Sequence, residues 1–285
     1  MEDHLSDFAA AGPAPRTALV PGRHNILGVA ITATDYARTC AAVRQAAVAR
    51  QPLTVTALAV HGVMTGALDA EHRRRLNALD LVVPDGQPVR WALNLMFRAG
   101  LKDRVYGPDL TLRICQMAEA EGLPIAFYGS KPEVLDDLRE NLLARFPNLK
   151  IAAMLPSRFR RVGPEEQAAI AQDLAESGAQ ILFVGLGCPR QEVWVYEHRE
   201  TLRMPQLAVG AAFDFHAARL AQAPGWMQDR GLEWLFRLFR EPRRLWRRYL
   251  LLNPLYVTLL LLQAVGLRRV SEDAETPLPR YEGYA

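Results

Sequence analysis

Short apolar runs alternate with helical patterns over most of this chain. The segments between the runs carry apolar residues at the 3.6-residue spacing of amphipathic helices. Such alternation favours a mostly parallel sheet with helices on both faces, and we therefore predict a Rossmann-like α/β fold. The predicted strands are 26–31, 53–58, 79–83, 125–128, 151–154, 181–184 and 207–209. The clearest predicted helices are 36–50, 110–121, 133–146 and 164–177.

Three of these strands lead directly into turns of the kind that hold phosphate groups. Gly185 and Gly187 follow one strand and precede a polar helix start. Glycines allow backbone N–H groups to approach an anion closely, and a helix N-terminus adds partial positive charge. Gly129 and Asp85 follow two other strands. Because the carboxyl ends of parallel strands meet at one edge of a sheet, we expect these turns to cluster.

Composition divides the chain into four predicted parts. Residues 1–16 are polar and lack the apolar stretch of a signal peptide, which predicts a disordered tail over residues 1–24. Residues 25–224 form the predicted α/β domain, residues 225–270 a helical appendage, and residues 271–285 a second disordered tail. The three cysteines form neither a disulfide framework nor a metal motif, which is typical of a reducing cytoplasm.

The appendage combines arginines, aromatic residues and a leucine-rich run. Between residues 230 and 248 it has seven arginines and two glutamates. This pattern suits an anionic membrane surface, whereas the alternative is a solvated basic face on a packed helix. Residues 249–267 are uncharged and nearly long enough to cross a bilayer. Pro254 breaks this run, which favours a helix in the interface over one that spans. No motif that reads nucleic acid accompanies the arginines.

Several residues near the predicted turns can carry chemistry. Asp85 can serve as a general base, or it can be an ordinary turn aspartate. Arg104 can bind a diphosphate with its forked guanidinium group, or pair with Asp103 or Asp109.

The residues after the glycine turn leave two interpretations open. Gln191 and Glu192 can contact a sugar or cap the helix behind the turn, and His61 can be an acid, a base or a buried histidine. No Asp-x-Asp pair stands at a strand end to bind Mg²⁺ or Mn²⁺, so no metal or other cofactor is predicted. Arginines and backbone amides would then have to stabilise a departing diphosphate.

The ordered set of segments resembles the WecG/TagA/CpsF glycosyltransferase family over roughly residues 25–255. The matching segments are Pro84-Asp85-Gly86, Arg104-Val-Tyr-Gly107 with Asp109-Leu110, Tyr128-Gly-Ser-Lys-Pro132, Gly185-Leu-Gly-Cys-Pro-Arg-Gln-Glu192, Val209-Gly-Ala-Ala-Phe-Asp-Phe215, Ala223-Pro-Gly-Trp-Met227, Gly231-Leu-Glu-Trp-Leu-Phe-Arg237, Glu241-Pro-Arg-Arg244 and Arg248-Tyr249. The resemblance implies metal-independent transfer of a sugar, with inversion, from a UDP-sugar to a polyprenyl-diphosphate-linked saccharide. Relatives build bacterial surface polysaccharides such as exopolysaccharide and capsule.

The resemblance also implies roles for individual residues. Asp85 matches the catalytic base, Arg104 a phosphate contact, Gln191 a sugar contact and Thr56 a pocket threonine. The nucleotide-sugar-binding positions are Gly129, Ser130, Lys131, Gly185, Gly187, Glu192 and Asp214. The appendage matches a membrane-targeting element whose arginines complete the site, and these are here Arg237, Arg240 and Arg244.

One departure from the family pattern concerns the residues after Thr56. Leu58 and Ala59 stand where the family commonly has an asparagine, which favours a catalytically silent nucleotide-sugar-binding or scaffold protein as the alternative function. A nicotinamide-dependent oxidoreductase is disfavoured, because Thr32-Ala-Thr34 replaces a GxGxxG turn. The predicted location is the cytoplasmic face of the bacterial inner membrane, and a homo-oligomer is compatible with the sequence.

Overall fold

The structure, a computed structural model, describes residues 22–268 and 280–285. Most of the predicted N-terminal tail lies outside the described residues, and the first strand begins at Arg23. The strands are β1 (Arg23–Ile26), β2 (Val29–Thr32), β3 (Leu53–Leu58), β4 (Leu81–Pro84), β5 (Ile125–Gly129), β6 (Ile151–Leu155), β7 (Ile181–Gly185) and β8 (Pro205–Ala208). The helices are α1 (Tyr36–Val48), α2 (Val60–Leu68), α3 (Ala70–Asn77), α4 (Gln87–Phe97), α5 (Gly107–Glu121), α6 (Pro132–Arg145), α7 (Pro164–Glu176), α8 (Arg190–Glu197), α9 (Ala212–His216), α10 (Gly225–Asp229), α11 (Glu233–Arg240) and α12 (Pro242–Ala264).

Six strands, β3 to β8, form one parallel sheet in the order β4-β3-β8-β7-β5-β6. Successive residues of a strand point to opposite faces. Phe127 and Phe183 therefore lie in one apolar core with α1, α5 and α6, while Tyr128 and Val184 lie in the other with α2, α3, α7 and α8. The predicted Rossmann-like parallel sheet with helices on both faces is confirmed.

The first predicted strand, 26–31, is wrong. The chain forms an antiparallel hairpin in which Ile26 pairs with Val29. Leu27 and Gly28 have φ angles of 55° and 92°, and two successive left-handed residues are typical of a tight hairpin turn. The Asn25 side chain stabilises the turn, because its Oδ1 accepts a hydrogen bond from the Gly28 N–H at 2.7 Å. The apolar run conceals this turn, because Ile26 at the end of β1, Leu27 in the turn and all of β2 are buried.

Helix α12 attaches the appendage to the α/β domain along its length. Leu245, Tyr249, Tyr256 and Leu259 recur on one side of the helix and are buried. Near its end, Gln263 binds the β1–β2 hairpin twice: its Oε1 accepts from the Leu27 N–H at 2.9 Å and its Nε2 donates to the Asn25 carbonyl at 2.8 Å. The appendage is therefore helical, as predicted, and packed against the domain over this helix.

The predicted break at Pro254 is wrong, because α12 continues through it. A proline removes one helical N–H donor, and packing on both sides of this exposed residue keeps the helix together. For residues 249–267, the sequence predicts either a helix in the membrane interface or a helix that spans the membrane. Within the described ranges, no helix is both long enough and apolar enough to cross a bilayer.

Residues 280–285 pack against the loop after β6, which differs from the disordered tail predicted for 271–285; residues 271–279 lie outside the described part of the chain. Ser157 Oγ donates to the Ala285 carbonyl at 2.9 Å, and the Val162 N–H donates to the Gly283 carbonyl at 2.8 Å. Ala285 is buried. We call residues 280–285 the strap.

Candidate active site

The loops at the carboxyl ends of all six parallel strands line one cleft of about 940 Å³. Strands β3 and β8 are neighbours whose connections lead to opposite sides of the sheet, and such a crevice is where open parallel sheets bind ligands. Helices α11 and α12 of the appendage line the opposite side. The turns at Asp85, Ser130 and Gly185 therefore meet in one place, as the strand pattern predicts.

Asp85 lies directly after β4, and its position is set by the sheet. Its backbone N–H donates to the Leu58 carbonyl of the neighbouring strand at 3.2 Å. Burial raises the pKa of the Asp85 carboxyl to about 7; Arg104, the Gly107 N–H and Arg237 lower this pKa, while Glu233 raises it. A carboxyl group with this pKa exchanges protons readily at neutral pH, which suits a general base.

Arg104 is 8% exposed, and residues of the appendage hold its side chain by hydrogen bonds. Its Nη2 donates to Glu233 Oε2 at 2.9 Å and to Gln228 Oε1 at 3.0 Å. The guanidinium group also lies over the ring of Tyr106, 4.1 Å from the centroid, and the Tyr106 hydroxyl donates to Glu233 Oε1 at 3.0 Å. The salt-bridge partner of Arg104 is Glu233. It is neither Asp103 nor Asp109, the two partners that the sequence suggests.

The glycines of the two turns meet requirements of packing as well as of ligand approach. A Cβ atom on Gly185 would lie 2.6 Å from the ring of Phe213, and one on Gly129 would lie 2.7 Å from the Gly185 carbonyl carbon. Gly187 has a φ of 78° and lines the cleft with Gly185, Ser130 and Lys131, whereas Gly129 lies behind it. Gly129 and Gly185 are therefore needed for close packing, because they let β5, β7 and α9 approach one another.

Thr56, Gln191 and Glu192 form a buried network beneath the glycine turn. Glu192 Oε1 accepts hydrogen bonds from Thr56 Oγ1 at 3.1 Å and from Gln191 Nε2 at 2.9 Å. Gln191 Oε1 accepts from the Gly187 N–H at 3.1 Å, and burial raises the pKa of the Glu192 carboxyl. Gln191 and Glu192 border the cleft, while Thr56 supports them from behind. Helix α8 has no side-chain cap at its N-terminus, so the capping alternative for Gln191 and Glu192 is wrong; the Gln191 side chain holds the glycine turn instead.

The appendage contributes cationic side chains to the cleft. Arg237 and Arg244 line it, but Arg240 does not. Arg248 also lines it and was missed as a site residue, although it follows Arg244 at helical spacing. Opposite them lies Asp214, whose pKa is raised by burial, with Arg244 and Arg237 lowering it and Glu241 raising it.

Tyr106 and Glu233 also line the cleft. The sequence did not identify them as site residues, because they stand only within longer segments that match the family. Each is partly or fully removed from water and makes hydrogen bonds across the cleft wall. His61 also lines the cleft, and burial, with Arg248 and His72, lowers the pKa of its imidazole to about 4. Its ring is therefore neutral at physiological pH.

A comparison with protein-family models places this site in a known group. The model of the glycosyl transferase WecG/TagA/CpsF family matches residues 24–270, which is most of the chain and includes every cleft residue described above. The match extends through the α/β domain and the appendage together. The chain therefore belongs to the WecG/TagA/CpsF family of glycosyltransferases.

Proposed function

We propose that this glycosyltransferase moves a hexose-type sugar from a UDP-sugar to a polyprenyl-diphosphate-linked saccharide, with inversion and without a metal ion. The observation that carries the proposal is Asp85: a carboxyl group with a pKa of about 7, at the floor of a cleft bordered by cations. A base at the strand ends and arginines opposite it match the two needs of the reaction, which are to activate a hydroxyl and to stabilise a departing diphosphate.

In the proposed step, ionised Asp85 accepts the proton of the acceptor hydroxyl. The acceptor oxygen forms a bond to the anomeric carbon as the bond from that carbon to the UDP oxygen breaks on the opposite face. The leaving diphosphate carries away the electron pair, and we expect Lys131, Arg237 and Arg244, which line the cleft, to attract it. The buried network under Gly187 keeps the turn in place during this step.

The surface of α12 supports a lipid-linked acceptor. Its outer side exposes an apolar row, and arginines precede this row near the start of the helix. The exposed apolar residues are Trp246, Leu250, Leu251, Leu255, Val257, Leu261 and Val265. A basic and apolar surface beside the cleft fits the anionic cytoplasmic face of a bacterial inner membrane, where exopolysaccharide or capsule assembly would supply the acceptor.

The test is sugar transfer by the Asp85→Asn variant. Labelled UDP-sugars are screened against polyprenyl-diphosphate saccharides, and we expect the unmodified protein to transfer one of them. The variant should lose about 10²–10⁴-fold in kcat while still binding UDP, because the amide cannot accept the proton. Full activity of the variant would exclude Asp85 as the base. Donor binding without turnover by the unmodified protein would favour the silent binding protein suggested by Leu58 and Ala59.

A further inference from the structure

Glu233 is the first residue of α11 and joins the appendage to the cleft wall of the α/β domain. Its two carboxylate oxygens have different partners: Oε2 accepts from Arg104 and Oε1 from Tyr106. The side chains of Arg104 and Glu233 are 10% and 14% exposed, so this salt bridge is shielded from water. A shielded pair is far more sensitive to the loss of one partner than a surface pair.

The appendage uses both hydrogens of one Arg104 nitrogen. Nη2 of a guanidinium group has two N–H donors, and one is directed to Glu233 and the other to Gln228 of α10. Both acceptors belong to the appendage, whereas Arg104 and its stacking partner Tyr106 belong to the α/β domain. The position and the effective charge of Arg104 therefore depend on two acceptors that the appendage supplies.

Asp85 is the group that responds to this arrangement. The charged and titratable groups that face it are Arg104 from the loop before α5, Glu233 and Arg237 from α11, and Tyr36 and Tyr106 beside them. The two arginines favour the ionised carboxylate, and Glu233 opposes it. Without Glu233, a cation inside the cleft wall would hold Asp85 ionised and make it a poorer proton acceptor.

Building on the proposed role of Asp85, we propose that Glu233 is a positioning residue: from the first turn of α11 it holds the guanidinium group of Arg104 against Tyr106 and offsets its charge beside Asp85. With the Glu233 carboxylate in place, Asp85 faces a paired cation and is a competent base. Without that carboxylate, Arg104 faces Asp85 as an unpaired cation, and the base is weaker. The appendage thus contributes one carboxylate that adjusts the base across the cleft.

The experiment follows the Asp85 carboxyl directly. In the full chain, the ¹³Cγ signal of Asp85, assigned by its loss in Asp85→Asn, is titrated by NMR in the unmodified protein and in Glu233→Gln. Glutamine keeps an oxygen acceptor but removes the charge, so we expect the midpoint to fall by about one pH unit. The rising acid limb of the kcat profile should move to lower pH by the same amount, and the plateau should fall several-fold because the base is weaker.

Two variants separate this coupling from a merely structural role. Tyr106→Phe removes the other hydrogen bond of Glu233 without changing charge, and it should leave the Asp85 midpoint nearly unchanged. Asp229→Asn neutralises an exposed carboxylate of α10 and is the matched charge control. The thermal unfolding of each variant is measured alongside to confirm that it is folded.

The outcomes distinguish this inference from the proposed function. An unchanged Asp85 midpoint in folded Glu233→Gln overturns the inference, whatever the activity. A midpoint shift of equal size in Asp229→Asn overturns it as well, because general charge would then suffice. If the midpoint moves as expected but the unmodified protein transfers no sugar, the coupling stands and the proposed function fails.

Discussion

The two walls of the cleft are built by different kinds of contact. On the sheet side, Thr56, Gln191 and Glu192 are buried and bound to one another, and Gly185 lies against the ring of Phe213. On the appendage side, α11 has no buried residue, and Phe239 is 77% exposed. The sheet wall is held by close packing of buried residues, whereas α11 is only half-buried and contacts the opposite wall through polar groups such as Glu233.

This difference indicates which wall of the cleft is rigid and which can shift. Closely packed elements have one arrangement, because shifting them opens cavities or forces atoms together. A half-buried helix can shift with less disturbance of a core. We therefore expect changes in the sheet wall to lower the free energy of unfolding, and changes in the appendage wall to lower binding or rate in a protein of nearly normal stability.

The largest effect on stability should come from Gly185→Ala. The new Cβ would lie 2.6 Å from the ring of Phe213, which is buried and packs edge-on against Phe127, so the ring has little room to withdraw. We expect a loss of about 2–3 kcal/mol, the upper part of the range for overpacked cores, measured by urea denaturation. Gly163→Ala, where the new Cβ would contact nothing within 4 Å, is the control. Equal losses would show that the sheet wall is not the rigid one.

The sheet wall is also the part that sequence predicted well. The predicted strand 53–58 has the bounds of β3, because a buried parallel strand is an apolar run of definite length. The convergence of Asp85 with the glycine turns followed from a general property of parallel sheets. The reason for the glycines was only partly foreseen, since no local pattern reveals that Phe213 presses on Gly185.

The appendage wall was predicted less well, for a physical reason. Glu233 pairs with Arg104 across 129 residues of sequence, and a single long-range pair leaves no periodicity to detect. Among the arginines, helical spacing suggested a common face but not which of them reach the cleft; Arg237 and Arg244 do, and Arg240 does not. The turn at Gly28 was missed for another reason: it lies inside the apolar run 26–31, which continues from the last residue of β1 through the turn into β2.

A smaller effect, confined to binding, should distinguish two arginines of the appendage. Arg244 lines the cleft and pairs with Glu241 at 2.8 Å, whereas Arg240 lies over the ring of Phe236 outside it. Arg244→Ala should weaken UDP binding about tenfold, or about 1.4 kcal/mol, through loss of one charged contact. Arg240→Ala should change it less than twofold. Calorimetric titration at low and moderate salt measures both, and the Arg244 contribution should decrease as salt screens it.

The two variants should also unfold at nearly the same urea concentration as the unmodified protein. If Arg244→Ala instead lowered stability as much as Gly185→Ala does, the appendage wall would be as rigid as the sheet wall. If both arginine variants weakened UDP binding equally, general charge rather than position in the cleft would explain the affinity.

The smallest effect on stability should occur at the strap. One contact that holds it, from Ser157, is shielded from water, and another, from Arg161, is exposed. Ser157 Oγ donates to the Ala285 carbonyl and accepts from the Phe159 N–H at 3.0 Å, and Ser157 is 9% exposed. Ser157→Ala leaves these partners unsatisfied and should cost about 1 kcal/mol in urea denaturation. Arg161→Ala removes an exposed guanidinium group that pairs with Glu282 and donates to the Tyr284 hydroxyl, and it should cost less than about 0.5 kcal/mol. The reverse order would mean that charge rather than packing holds the strap, which would place it with α11 instead of with the sheet wall.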